Sequence, residues 1–255
     1  LADGGPHLSL RFARHHPDGV DELVHLGAVT PDLAIVLRGL VAEQVSLVVT
    51  GGTGAGKTTV LAGLLAECHP AQRIVVVEDV RELDPRHPHV VRLQGRGANV
   101  EGVGAVTLVD LVRQALRMRP DRLVVGEVRG AEVRELLAAL NTGHDGGMST
   151  LHANGPDEVP ARFEALGYLA GMPRSAVHAQ LRQALQAVVH VVRAGGQRRV
   201  ERIGVVVPDP VERGCVQVVV AVVDRRDGLT AGPGAGRLVE LVPSLQPDPP
   251  WEAPC

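Results

Sequence analysis

Gly51-Gly52-Thr53-Gly54-Ala55-Gly56-Lys57-Thr58-Thr59 fits the pattern G-x-x-x-x-G-K-[ST] of a phosphate-binding loop. The chemistry needs this order. Glycines let successive backbone N–H groups turn into one concavity that cradles phosphate oxygens. Lys57 adds a point charge near the β- and γ-phosphates, and the Thr58 hydroxyl suits one coordination position of Mg²⁺. The context agrees. Val45–Thr50 reads as a buried strand and Lys57–Glu67 as the following helix, whose positive amino end reinforces phosphate binding. The loop points to a nucleoside triphosphate.

Strands and helices alternate outward from this loop, as a parallel α/β sheet requires. Upstream, Leu8–Phe12 alternates like a strand, and Thr30-Pro31-Asp32 opens a helix through a capping hydroxyl, a first-turn proline and a dipole-matching carboxylate. Downstream, the pattern predicts strands at Arg73–Glu78, Arg122–Gly126 and Thr150–Asn154, and helices at Thr107–Met118, Ala131–Leu140 and Ser175–His190. Val200–Val207 and Val216–Val223 read as neighbouring antiparallel strands. From Asp224 onward glycines and prolines accumulate, so residues 225–255 read as a flexible tail. The chain opens on Leu1 rather than Met, and residues 1–27 read as the end of a preceding domain and its linker, with further sequence expected upstream.

Composition narrows the function. The chain has 255 residues and is 45% hydrophobic, enough for a substantial core. Aromatics are only 2% and net charge is −3, which argues against stacking platforms and broad basic surfaces for nucleic acid. Cys68, Cys215 and Cys255 are scattered, with no C-x-x-C pair, so neither a zinc module nor a disulfide framework is indicated. The most apolar segment, Val216–Val223, is too short for a membrane span.

Two acidic groups fall where strands should end: Glu78-Asp79-Val80-Arg81-Glu82, and Glu127 within Val124–Gly130. Open α/β sheets bind ligands beyond the carboxyl ends of their strands, where a carboxylate orients an attacking water or simply caps the next helix. The aspartate that commonly follows the second such strand is replaced by Gly126-Glu127. His144 and His152 bracket a glycine-rich loop and short strand, and either imidazole suits a γ-phosphate or a catalytic carboxylate. Arg113 and Arg117 share a helix face and Arg119 follows. They form a solvated face or supply an arginine to a neighbouring subunit's phosphates. Arg11 is a separate candidate on a piece that closes over the nucleotide.

The phosphate loop, the EDVREL segment (78–83), the LRMRPDRLVVGEVRG segment (116–130) and the NTGHDGGMSTLHAN segment (141–154) occur in this order, and together they resemble the type II/type IV secretion ATPase superfamily, most of all its tight-adherence (Flp) pilus branch (CpaF-like). The resemblance covers roughly residues 8–207. It implies an α/β fold: a RecA-like P-loop NTPase core with a mostly parallel central sheet over 28–224, plus a remnant of an N-terminal domain at 1–27. It places Glu82 at the presumed catalytic glutamate of an "Asp box", Arg122–Glu127 at an atypical Walker B segment, and His144 and His152 in a "His box". It further implies ATP and Mg²⁺, a homo-hexamer, inner-membrane platform proteins as partners, no direct nucleic-acid contact, and a cytoplasmic position on the inner face of the membrane. The implied role is an ATP-hydrolysing motor for pilus assembly or secretion. A conjugal DNA-transfer ATPase and a nucleotide-gated, non-hydrolysing scaffold are the alternatives.

Overall fold

Runs of valine in short segments bounded by glycine, proline and charge make strands that bury both faces, and the computed structural model sets them side by side. It describes residues 17–225 and 227–252. Along the chain lie α1 (Val20–His25), α2 (Pro31–Ala42), β1 (Leu47–Thr50), α3 (Lys57–Ala66), β2 (Ile74–Glu78), β3 (Val90–Gln94), α4 (Leu108–Arg117), β4 (Arg122–Val125), α5 (Val133–Leu140) and β5 (Met148–Leu151). Then follow α6 (Val159–Leu169), α7 (Arg174–Ala184), β6 (Ala187–Ala194), β7 (Gln197–Pro208), β8 (Val216–Asp224), β9 (Leu229–Ala231) and α8 (Ala235–Leu241).

The described residues form one nine-stranded sheet in the order β3-β2-β4-β5-β1-β6-β7-β8-β9. From β3 to β6 every pairing is parallel; β7, β8 and β9 continue antiparallel. Alternate residues of each central strand enter different cores. Leu47, Val49, Ile74, Val76 and Val189 pack on one face with α1, α2, α3 and α8. Val48, Val75, Val77, Leu123 and Val188 pack on the other with α4 to α7. The result is a three-layer α/β/α sandwich with a mostly parallel sheet, as expected. The helix starts also follow the sequence: Thr30 Oγ1 accepts from Leu33 N at 3.4 Å, and Thr107 with Asp110 closes a capping box on α4.

Three expectations are corrected. The helix expected through His190 ends at Ala184, and residues 187–190 start β6, which lies beside β1. Val188 and Val189 are β-branched and lose rotamer freedom in a helix, and the slot between β1 and β7 buries both. The tail expected to be flexible from residue 225 instead adds β9 to β8 and packs α8 onto the core, with Leu238 and Val242 fully buried. Gly232 N and Gly234 N donate to Ala221 O and Val220 O at 2.8 and 2.9 Å, so composition that reads as linker is a close backbone approach to β8. Within the stretch expected to belong to a preceding domain, α1 packs on α3: Leu23 is fully buried and Val20 N donates to Glu67 Oε1 at 2.7 Å. The strand expected at Leu8–Phe12 lies outside the described residues. No helix among the described residues is long and apolar enough to cross a membrane.

Leu238→Ala tests the C-terminal correction. Removing a fully buried leucine should cost about 2–5 kcal/mol of unfolding free energy in a urea titration. A change within about 0.5 kcal/mol would mean the segment is the solvated tail that its composition suggests.

Candidate functional site

The parallel sheet brings four loops to one edge. In strand order, the exits of β2, β4, β5 and β1 are neighbours, so residues 79–82, 126–130, 152–154 and 51–57 leave the sheet side by side. Gly51 opens the phosphate loop at φ 150°, and a Cβ there would stand 2.3 Å from the Val191 carbonyl oxygen, so only glycine passes this point. α3 then begins at Lys57 and points its amino end into the loop.

Lys57 is buried, with Nζ donating to the carbonyls of Gly51 and Gly52, both at 3.1 Å. Burial pulls its pKa down, while the charges of Glu127 and Glu82 pull it back up. Both glutamates expected to act on phosphate therefore lie within electrostatic reach of the lysine. His152 Nε2 stands 3.0 Å from Glu127 Oε1 and 3.4 Å from Lys57 Nζ. A single ring nitrogen either donates or accepts. The shorter contact fits an Nε2–H donated to the Glu127 carboxylate, with Lys57 resting against it.

The acidic segment after β2 divides its labour. Glu78 is buried, and its Oε1 accepts from Glu82 N and Leu83 N at 3.1 and 3.0 Å, shaping the turn that presents Glu82. Burial raises the Glu78 pKa and those two hydrogen bonds oppose the rise. A Cβ at residue 126 would come within 2.6 Å of Glu78 Cγ, so glycine after β4 makes room for Glu78, and the next carboxylate falls to Glu127. Asp79 is ion-paired with Arg129, and this raises the guanidinium pKa. The amides of Arg129 and Gly130 donate to Glu132 Oε1 at 2.7 and 2.8 Å, which fixes the loop that carries Glu127. Thr150 Oγ1 ties β5 to the same loop through Gly126 O at 2.6 Å.

The other candidates do not join this cluster within the chain. His144 precedes β5 and its Nδ1 lies 3.2 Å from Ala139 O at the end of α5. It sits at the amino end of β5 and His152 just past the carboxyl end, separated by a four-residue strand or roughly 13 Å at ~3.3 Å per residue. Within one chain the two histidines therefore do not stand side by side, because eight residues that include a strand span the sheet rather than fold back. Arg113 is bound to Glu135 of α5 at 2.7 Å, so its share of the arginine expectation includes a bridge between two helices. Arg117 and Arg119 are exposed at the carboxyl end of α4, Arg119 at φ 50°. Arg11 lies outside the described residues.

Sequence reasoning missed three contributors. Arg129 stood in the quoted VRG segment without a role. Arg198, in the β6–β7 hairpin, donates from Nε to Gly54 O at 2.8 Å. His190 is buried on β6, 3.0 Å from Thr50 Oγ1 at the start of the phosphate loop. Hidden in the apparent helix, it gave no signal until β6 was placed.

The donor set fits a nucleoside triphosphate with a hard divalent cation: loop amides, one lysine, the Thr58 hydroxyl and two nearby carboxylates. Among the described residues no cluster of three or more histidine, cysteine or acidic side chains is built to hold a metal unaided. Mg²⁺ suits such a site, since it keeps several waters and takes phosphate oxygens as ligands.

Comparison with known proteins bears on the family and the fold. A family model described as "Type II/IV secretion system protein" matches residues 2–231. A putative conjugal transfer protein of Mycobacterium tuberculosis is 56% identical over 206 residues, covering 80% of this chain and 58% of that protein. A type IV secretion system protein, PtlH, of Bordetella pertussis is 39% identical over 168 residues, covering 63% of this chain and 49% of its own length. Among solved structures, the VirB11 ATPase of the Brucella suis type IV secretion system, in complex with sulphate, is similar with a TM-score of 0.59 and 28% identity over 77% of this chain and 60% of that one. The pilus retraction motor PilT with bound ADP shares the fold, with a TM-score of 0.55 and 23% identity over 91% of this chain and 58% of that one. The chain thus spans about half to three fifths of the length of these four proteins.

His190 gives the site a pH dependence. Burial lowers its pKa below the ordinary 6.5, with Arg202 adding to the effect. The unfolded chain therefore binds the proton first as pH falls. The contribution to stability is complete above about pH 6.5 and is lost progressively below it. Unfolding free energies measured from pH 7.5 to 5 should fall less steeply in His190→Asn than in the parent chain. Equal slopes would remove His190 from the account.

Proposed function

The chain belongs to the type II/IV secretion system protein family, and on that premise we propose that it is the ATPase core of a secretion or conjugation motor. The observation that carries the reading is the convergence of Lys57, His152, Glu127 and Glu82 beyond one sheet edge. Lys57 and the loop amides bind and neutralise the phosphates. Thr58 would hold Mg²⁺, which when bound would spread the charge of the phosphate oxygens. Glu82, presented by the turn on Glu78, orients water for attack on the γ-phosphorus and takes its proton as the bond to the β-phosphate breaks, giving ADP and phosphate. Glu127 supports it or serves as the alternative base. His152 touches both Lys57 and Glu127, so it is placed to register loss of the γ-phosphate.

The names carried by the relatives, conjugal transfer and type IV secretion, favour that setting over the tight-adherence pilus branch suggested by the motifs. Work from the cytoplasmic face of a membrane through platform proteins, as a homo-hexamer, is part of the same proposal. So is an arginine supplied by a neighbouring subunit, with Arg11, Arg117 and Arg119 as candidates alongside Arg113.

Lys57→Ala should abolish ATP binding and turnover. Glu82→Gln should keep ATP but release phosphate about 10²–10⁴-fold more slowly, the range for loss of a general base. If Glu127→Gln shows that loss and Glu82→Gln does not, the base is Glu127. Negligible steady-state phosphate release from the assembled, full-length wild-type protein would instead favour a nucleotide-gated scaffold. Stimulation by DNA that weakens steeply with salt would identify direct nucleic-acid contact.

A further inference from the structure

The β6–β7 hairpin runs on past the end of β1. Thr50 pairs with His190, and Val191–Ala194 with Gln197–Val200 continue beyond that point, over the phosphate loop. The first peptide of the loop lies on the hairpin backbone, where Gly51 meets Val191 O. Arg198 reaches further along the same loop. Its Nε donates to Gly54 O at 2.8 Å, and its Cδ is 3.1 Å from where a Cβ on Gly56 would stand.

Arg193 stands directly opposite Arg198 across the hairpin. Directly paired residues of an antiparallel ladder project to the same face. Val191 and Val200, each two residues inward from an arginine, belong to the core that also contains Ala55 and the α3 residues, so both arginines lie on the face that carries the loop. Like charges set opposite one another repel. Among the described residues neither guanidinium enters an ion pair, and a guanidinium has five N–H donors, of which Gly54 O takes one from Arg198. Two cations without an anionic partner beside a phosphate-binding loop favour a polyanion seated on that loop within their reach.

We propose that Arg198, assisted by Arg193, is a second phosphate-contacting wall of the nucleotide site, facing the polyphosphate chain held by residues 51–59. This rests on the reading of that loop as a nucleoside-triphosphate site. Arg198 supplies charge-assisted hydrogen bonds, and Arg193 supplies field. The competing role for Arg198 is a brace that only holds the Gly54 carbonyl.

Titration of the chain with a fluorescent ATP analogue, alongside the thermal unfolding midpoint without nucleotide, separates them. Arg198→Ala should weaken binding about 10- to 100-fold, the scale for charged hydrogen bonds. Arg198→Gln keeps an amide donor for Gly54 O but no charge, and should remain as weak as alanine. Arg198→Lys keeps the charge and should recover most of the affinity. Arg193→Ala should cost a few-fold, a loss that shrinks at high salt. Full affinity in Arg198→Gln would overturn the proposal in favour of the brace, and full affinity in Arg198→Ala would overturn both. Should alanine prevent folding, the glutamine and lysine variants carry the comparison. If the parent chain fails to bind the analogue, or Lys57→Ala binds it equally, the loop reading itself falls and this proposal falls with it. Normal binding by the parent with loss in Lys57→Ala leaves the arginine variants to decide this proposal alone.

Discussion

β1 lies parallel between β5 and β6, and the geometry of the site follows from that register. Both faces of β1 are apolar, so hydrophobic alternation alone does little to forbid a one-residue slip. Polar contacts at its two ends set the register instead. Gln186 N and Ala187 N donate to Ser46 O at 3.0 and 3.2 Å, and Gln186 Oε1 accepts from Ser46 N at 2.9 Å. At the other end, Thr50 Oγ1 meets the buried His190. With β1 so fixed, Gly51 leaves the sheet against Val191 O, α3 starts where it must, and Lys57 arrives beside His152 at the exit of β5.

Charge at the site is arranged in tiers. Lys57 is held by two carbonyls and pulled by two carboxylates, so a buried cation stays positioned over the loop. Glu127 is oriented through His152, and Glu82 through the backbone turn on Glu78. Asp79, which looks equivalent to these in the sequence, has its charge engaged by Arg129. Three carboxylates within five residues therefore have three different tasks: one shapes a turn, one anchors an arginine and one faces the lysine. Their difference comes from burial and partners, not from residue type.

Much of the fold was legible because its signals are local. The phosphate loop, the caps at Thr30 and Thr107, and the valine-rich strands each carry their instruction within a few residues. What escaped depends on distant partners. Val188 and Val189 continue an amphipathic pattern until a slot between two other strands claims them. Gly232 and Gly234 look like linker until Val220 and Ala221 offer them carbonyls. At the site, Lys57, Glu82, Glu127 and His152 could be grouped because each follows a strand and parallel strands end together. Proximity in sequence groups His144 with His152, although an intervening strand places them at opposite ends of β5. Arg129 and Arg198 were invisible as site residues because an arginine's partner is chosen by topology.

His152 shows how such an edge can couple chemistry to structure. Its Nε2 faces a cation and a carboxylate but cannot donate to one and accept from the other at the same time. Under the proposed function, a phosphate drawing Lys57 forward would weaken the competing contact and leave Glu127 as the partner of the imidazole. Departure of that charge would restore the competition. The residue that feels this exchange follows directly on β5, whose Thr150 is bonded to the loop of Glu127. On the proposed reading, a change in the phosphate would reach backbone already tied into the middle of the sheet, with the buried strands on either side resisting continuous deformation.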